Sequence, residues 1–211
     1  MKKRLSAIDT DLHSGTPFWP TVSDGADRYD ALEEDIECDV LVIGGGITGA
    51  LVAHHLTKAG VSTVLVDKRR FGTGSTSAST ALISYEFDLL LSKLSQRIGE
   101  KSAVRCYELC FEAVESLKRI VSELEDDCDY DNRSAVRILT APSDLSEFEA
   151  EETMRRNFGM RAELCDSDQL EKRFGINAFA ALVHSNAAQI DPLKLTRALV
   201  RRSVKSGLRA Y

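Results

Sequence analysis

The sequence predicts an α/β protein: a βαβ unit on a parallel sheet, joined to part of an α+β domain. Three observations carry this. Two short apolar, β-branched runs, residues 38–43 and 61–66, flank a helical stretch from Ile47 to Ala59. Runs of that length without alternation read as strands buried on both faces, as in parallel sheets. Beyond residue 100, helical and strand-like segments keep alternating, and the chain closes on one more helix followed by a strand. A strand–helix–strand order of this kind closes almost always as a right-handed crossover.

Composition narrows the class. The chain has 211 residues, enough to bury more than one minimal core. Its 43% hydrophobic and 28% charged residues are ordinary for a globular protein. A net charge of −6 gives no basic surface for a phosphate backbone, so no nucleic-acid partner is expected. No apolar run approaches the roughly 20 residues of a membrane span. Met1–Arg4 is basic, but the apolar stretch of a secretory signal does not follow it. Cys38, Cys106, Cys110, Cys128 and Cys165 are scattered and form no CxxC pair. No disulfide framework or metal site is expected from them, and a reducing, cytoplasmic location is.

The elements follow in order. Residues 1–37 lack periodicity and hold Gly15, Pro17, Pro20 and Gly25. They are expected to form a surface arm, anchored by the aromatic area of Thr16–Pro20 around Trp19. Residues 38–98 hold the βαβ unit: a strand into three glycines, a helix stopped at Gly60, and a second strand ending at Asp67. A loop of small and hydroxyl residues covers 72–80, and a helix is expected over Asp88–Ile98. Residues 99–130 carry a long helix from Glu100 to Leu124. Ala103, Tyr107, Cys110, Val114, Leu117, Val121 and Leu124 recur there at steps of three and four, forming one stripe.

Residues 131–190 read as part of a second domain. Strands are expected at Ala135–Thr140, Ala162–Cys165 and Ala180–Ser185, with a helix at Asp168–Phe174. Another helix should start at Pro142-Ser143-Asp144, with Ser143 or Asp144 as its cap and Glu147 nearby. Residues 191–211 return to the first domain. Asp191-Pro192 is a cap followed by proline at the first helical position, and Leu208–Tyr211 opens a further strand.

Chemistry concentrates in Gly44-Gly45-Gly46-Ile47-Thr48-Gly49, a G-x-G-x-x-G that leaves a strand and enters a helix. Gly44 permits the tight turn, Gly46 lets a diphosphate approach bare backbone, and Gly49 lets the helix pack closely on the sheet. The open N–H groups and dipole of the helix start favour an anion. Asp67 follows Gly46 by close to the roughly 20 residues expected of a ribose-binding acid. An acid there repels a 2′-phosphate, so NADP is disfavoured. The plainer alternative is a glycine turn that only joins strand to helix. Strand, helix, spacing and acid together weigh against it.

The 72–80 loop follows the carboxyl end of the second strand, where Ser75, Thr76, Ser77, Ser79 and Thr80 can face the cofactor crevice. Arg69 and Arg70 are in reach of a phosphate there, although exposed arginines after a strand are common. His54 and His55 lie mid-helix, away from any cofactor, and His13 and His184 have no partner at catalytic spacing. No Ser-His-Asp or metal-ligand pattern is present.

These segments resemble a known family. VLVIGGGITGALVAHHL, VLVDKRR and FGTGSTSAST, spanning Val40–Ala81, are similar to the opening of the D-amino-acid oxidase-like (DAO) FAD-dependent oxidoreductases, which include glycine oxidase, sarcosine oxidase and glutamylputrescine oxidase relatives. The later AAQIDPLKLTRALVRRSVKSGL is similar too, and the TPFWP arm resembles a bacterial subset.

The resemblance implies a Rossmann-like FAD/NAD(P)-binding domain with part of a substrate or cap domain, and FAD as cofactor. It places Gly44, Gly46, Ile47, Thr48 and Gly49 on the pyrophosphate. It sets Asp67 and Lys68 beside the adenosine ribose, and Ser75 to Thr80 along pyrophosphate and flavin. The family more often has Glu where Asp67 stands. The implied substrate is an amine or amino acid, and no catalytic residue can be named. Family members run well past residue 211, which implies an N-terminal fragment and a partner chain supplying the remaining half. Two alternatives stay open: a non-catalytic dinucleotide-binding fragment, and an NAD-dependent dehydrogenase.

Overall fold

The computed structural model describes residues 15–23 and 27–211. Expectations for Met1–Arg4, His13 and Gly25 fall outside the described residues. In chain order the elements are α1 (Trp19–Val22), β1 (Val40–Ile43), α2 (Ile47–Lys58), β2 (Thr63–Val66), β3 (Leu82–Ser84), α3 (Leu91–Ile98) and α4 (Glu100–Ser122). Then come β4 (Asp131–Ile138), α5 (Leu145–Asn157), β5 (Glu163–Asp166), α6 (Ser167–Phe174), β6 (Ala180–Gln189), α7 (Pro192–Lys205) and β7 (Arg209–Ala210). They divide into two units. One takes the chain up to Ala81, with Leu124–Cys128 and Asp191–Tyr211. The other takes Leu82–Glu123 and Asp129–Ile190.

The first unit is built on a parallel sheet in the order β1-β2-β7, with Val40 opposite Thr63 and Val64 opposite Arg209. Both crossovers carry a helix, and α2 packs on α7. Small residues of α2 permit this: Ala50 and Ala53 are fully enclosed, as is Leu199 of α7. The Asp191 carboxylate caps α7, accepting from the N–H of Leu193 (2.8 Å) and of Lys194 (2.9 Å). The arm anchors differently from the aromatic burial expected. Phe18 stays 62% exposed. Instead the Trp19 indole N–H donates to the Ser79 carbonyl at 2.8 Å, the Ser23 hydroxyl donates to Asp191, and Arg201 pairs with Asp27 at 3.0 Å.

The second unit is an antiparallel sheet with β6 at its centre, paired to β3, β4 and β5. The boundaries drawn from sequence differ here, because α4 belongs to this unit and not to the dinucleotide domain. Its inner residues Ala103, Val104, Tyr107 and Val114 cluster with Tyr85, Leu91 and Met160. Val104 and Ile120 widen the expected stripe, while Cys110 and Leu117 are only half-buried. Neither Ser143 nor Asp144 caps α5 with its side chain, since a 3-10 turn over Pro142–Asp144 leads into it. A capping box stands instead at α6, between Asp166 and Gln169. β6 runs four residues past the expected Ser185, and β3 was not anticipated.

Candidate functional site

The turn after β1 folds as its glycines require. Gly44 has φ +106°, a conformation open to glycine, and its N–H continues the parallel ladder to Val66 O at 2.8 Å. A Cβ on Gly49 would stand 1.9 Å from the Gly44 carbonyl oxygen, so α2 sits directly against the turn. A Cβ on Gly46 would lie 3.1 Å from Thr76 Oγ1. Gly45 is equally constrained, because a Cβ there would enter the Phe71 ring at 2.0 Å. The three consecutive glycines were the signal for that role, which the G-x-G-x-x-G spacing passes over.

Asp67, at the end of β2, ties this turn to the next loop. Its Oδ2 accepts from Gly45 N and its Oδ1 from Arg69 N, both at 2.7 Å. Gly72 N returns a bond to Gly45 O at 2.8 Å. From the hydroxyl loop, now a 3-10 turn over Ser75–Ala78, Thr76 Oγ1 accepts from Ile47 N at 3.0 Å. The Thr76 hydroxyl keeps its own proton to donate. Among the described residues the amides of Thr48 and Gly49 meet no acceptor, the ordinary condition of a helix start.

These groups enclose a cavity of 830 Å³. Gly44, Gly46, Ile47, Thr48, Gly49, Asp67, Lys68, Arg69, Ser75, Thr76 and Ser79 all line it. Two of the sequence-predicted residues do not. Ser77 is buried and gives its hydroxyl to Gly74 O at 2.8 Å, closing the 3-10 turn, and the exposed Thr80 lies outside the lining. Val42, Ile43, Val52 and Val66 supply an apolar side that the motif did not announce. Bare amides at a helix start, outward hydroxyls and a flanking Lys68–Arg69 pair fit a diphosphate, and the carboxylate beside them fits a ribose.

The second unit holds a separate cluster of buried charge. Arg155, fully enclosed, pairs with Glu151 at 2.7 Å and Glu86 at 2.5 Å, and its guanidinium stands 5.6 Å and 5.5 Å from the ring centroids of Tyr85 and Tyr107. Burial works to raise the Glu86 carboxyl, but Arg155, His184 and Arg137 together outweigh it and hold the group below the usual carboxylate range. Burial pushes His184 down to about 4, with Arg155 and Arg137 adding to the fall and Glu86 opposing it. Glu151 also accepts from the N–H of Leu91 and of Ser92, both at 2.8 Å, capping α3. The cluster lies inside the second unit, and among the described residues Arg155 Nη2 and His184 Nδ1 have no hydrogen-bond partner.

Residues 39–211 match the family model of the DAO FAD dependent oxidoreductases. The chain belongs to this family. As a family member it is 30% identical over 92% of its length to the putative Rieske 2Fe-2S iron-sulfur protein YhfW of Bacillus subtilis, and covers 37% of that protein. It is 26% identical over 79% of its length to gamma-glutamylputrescine oxidoreductase of Escherichia coli, covering 39% of it. The fold matches that of L-amino acid deaminase from Proteus myxofaciens with a TM-score of 0.71 at 17% identity, over 88% of this chain and 40% of that one. The chain thus spans about two-fifths of the length of these two curated relatives. Among the described residues no helix is long and apolar enough to cross a membrane.

Proposed function

We propose that this chain grips the ADP half of FAD for an oxidoreductase acting on an amine or amino acid, and that the substrate side comes from polypeptide beyond these 211 residues, on the same chain or a partner. One observation carries the reading: the Gly44–Gly49 turn, the Asp67 carboxylate and the Thr76 hydroxyl converge on one cavity at the start of α2.

Each residue has a task. Thr48 and Gly49 present amides to a phosphate, and the Thr76 hydroxyl donates beside them. Lys68 and Arg69 offset the diphosphate charge at the rim. Asp67, held by two backbone amides, keeps lone pairs for ribose hydroxyls. Val42, Val52 and Val66 exclude water from one side. Bound FAD would supply the hydride chemistry, while the protein orients it. The substrate class is supported by the relatives, whose names speak of glutamylputrescine and L-amino acids. The five cysteines stand unpaired, which supports a reducing, cytoplasmic setting.

Titration of the purified chain with FAD, ADP and NAD tests the reading. FAD and ADP should bind with similar affinity, because the contacts fall on the half they share. Tight NAD binding with none of FAD would overturn it.

A further inference from the structure

A cavity of 510 Å³ lies within the second unit, where the antiparallel sheet breaks its own pattern. β5 pairs with β6 as far as Val183, and β3 takes up that strand only from Ala187. On the other edge of β6, the register against β4 shifts at Ser134, between Arg133 and Ala135. Ser134, Val183 and Ser185 all line the cavity, so it opens on this irregular stretch. Bulges of this kind re-aim side chains and recur beside functional sites.

We propose that this cavity binds a small oxyanion, the phosphate or carboxylate group of a small molecule, through the guanidinium groups of Arg156, Arg161 and Arg173. The site does not rest on the FAD reading, because every residue of it belongs to the second unit.

Charge is the first reason. Three guanidinium groups and a single carboxylate, Glu163, line the cavity, in a chain whose net charge is −6. A local excess of that sign concentrates anions. Helix ends account for part of it: Arg156 and Arg173 occupy the last turns of α5 and α6, where cations are favoured. Arg161 has no such reason to be there. It is exposed in the loop ahead of β5, and its side chain has no partner among the described residues.

Preorganisation is the second. Arg173 Nη1 donates to Glu163 at 2.7 Å and to Cys165 Sγ at 3.2 Å, and its guanidinium stands 5.1 Å from the Phe174 ring centroid. Arg156 is held by Glu152 at 2.9 Å. Met160, only 2% exposed, pins the chain beside Arg161. A guanidinium carries five donors, so Arg156 and Arg173 keep N–H groups after these bonds are made. Forked donors match the oxygens of phosphate and carboxylate, and Ser134 and Ser185 add exposed hydroxyls. The volume lies within the roughly 300–1,000 Å³ of small-molecule sites.

Amide NMR of the chain, titrated with inorganic phosphate and with succinate at constant ionic strength in sodium chloride, tests this. Saturable shifts are expected at Ala162, Val183 and Ser185, and the probe that saturates at lower concentration shows whether phosphate or carboxylate is the preferred group. Arg156→Gln and Arg161→Gln should each weaken that binding by about tenfold. Both positions are exposed, so the fold should survive, and a thermal melt checks it. Arg119→Gln, which removes the same charge from the exposed side of α4, should leave it within roughly twofold. Shifts that never saturate with either probe would overturn the site, and so would equal losses in all three variants, which reflect net charge alone. Phosphate shifts confined to the amides of residues 44–49 would also overturn it, and would leave the reading of the glycine turn untouched.

Discussion

Asp67 shows how much a single side chain can carry. Spacing alone gives it one ribose contact, worth about 0.5–1.5 kcal/mol. The structure adds two backbone bonds, to Gly45 and Arg69, made before any ligand arrives. Aspartate, shorter than the glutamate more usual in the family, reaches both at 2.7 Å. Asp67→Ala should therefore lower the stability of this unit by about 3 kcal/mol, as bonds to a charged acceptor are worth about 1.5–3 kcal/mol each. Urea unfolding measures it, and Asp67→Asn should recover part of the loss. Gly46 acts by what it lacks. Its Cβ would already stand 3.1 Å from Thr76 Oγ1, and larger groups would push into the position proposed for the phosphates. Gly46→Val should bind FAD at least a hundredfold more weakly, about 2.7 kcal/mol. Unchanged affinity would exclude the turn as the phosphate site.

At the scale of elements, close approach and capping decide the packing. Gly49→Ala forces α2 away from the Gly44 carbonyl, 1.9 Å from the new methyl group. We expect a loss of about 1–3 kcal/mol together with weaker FAD binding. Asp191 caps α7 and also receives the Ser23 hydroxyl of the arm. Asp191→Ala should cost about 1–2 kcal/mol and speed proteolysis between residues 15 and 37. Helices α2, α4 and α7 were legible because periodicity, Gly60 and Asp191-Pro192 are local signals. The cap of α5 was misplaced because Ser143 and Asp144 fit a capping pattern that a 3-10 turn displaced. β3 was invisible, since three residues carry no period and Leu82 is 74% exposed.

For the molecule as a whole, the response to acid follows from the second unit. His184 titrates at about 4 in the folded chain and near 6.5 when unfolded. Between those values the unfolded chain binds a proton that the native one refuses, so stability falls as pH drops from 6.5 to 4. The loss amounts to roughly 3 kcal/mol. Glu86, held low by Arg155, loses its contribution as pH falls further, through its lowered folded value, so both groups act in the same direction. A urea-unfolding series across this range should show the decline, and His184→Gln should flatten it. A slope unaltered in that variant would reject His184 as its source.

The sequence by itself determined the parallel strands, the glycine turn, the acid one strand over and the return through α7. All of these rest on interactions within a few residues or on a spacing that the chemistry of a diphosphate imposes. Only the tertiary structure decided that Asp67 bonds Gly45, that Thr76 bonds Ile47 while Ser77 turns inward, and that Tyr29 lies on Phe71. Tertiary packing also assigned α4 to the antiparallel unit. Each of these joins residues distant in the chain or selects among adjacent hydroxyls of like composition. Local pattern is the same for either outcome, and the packing of the surrounding side chains chooses between them.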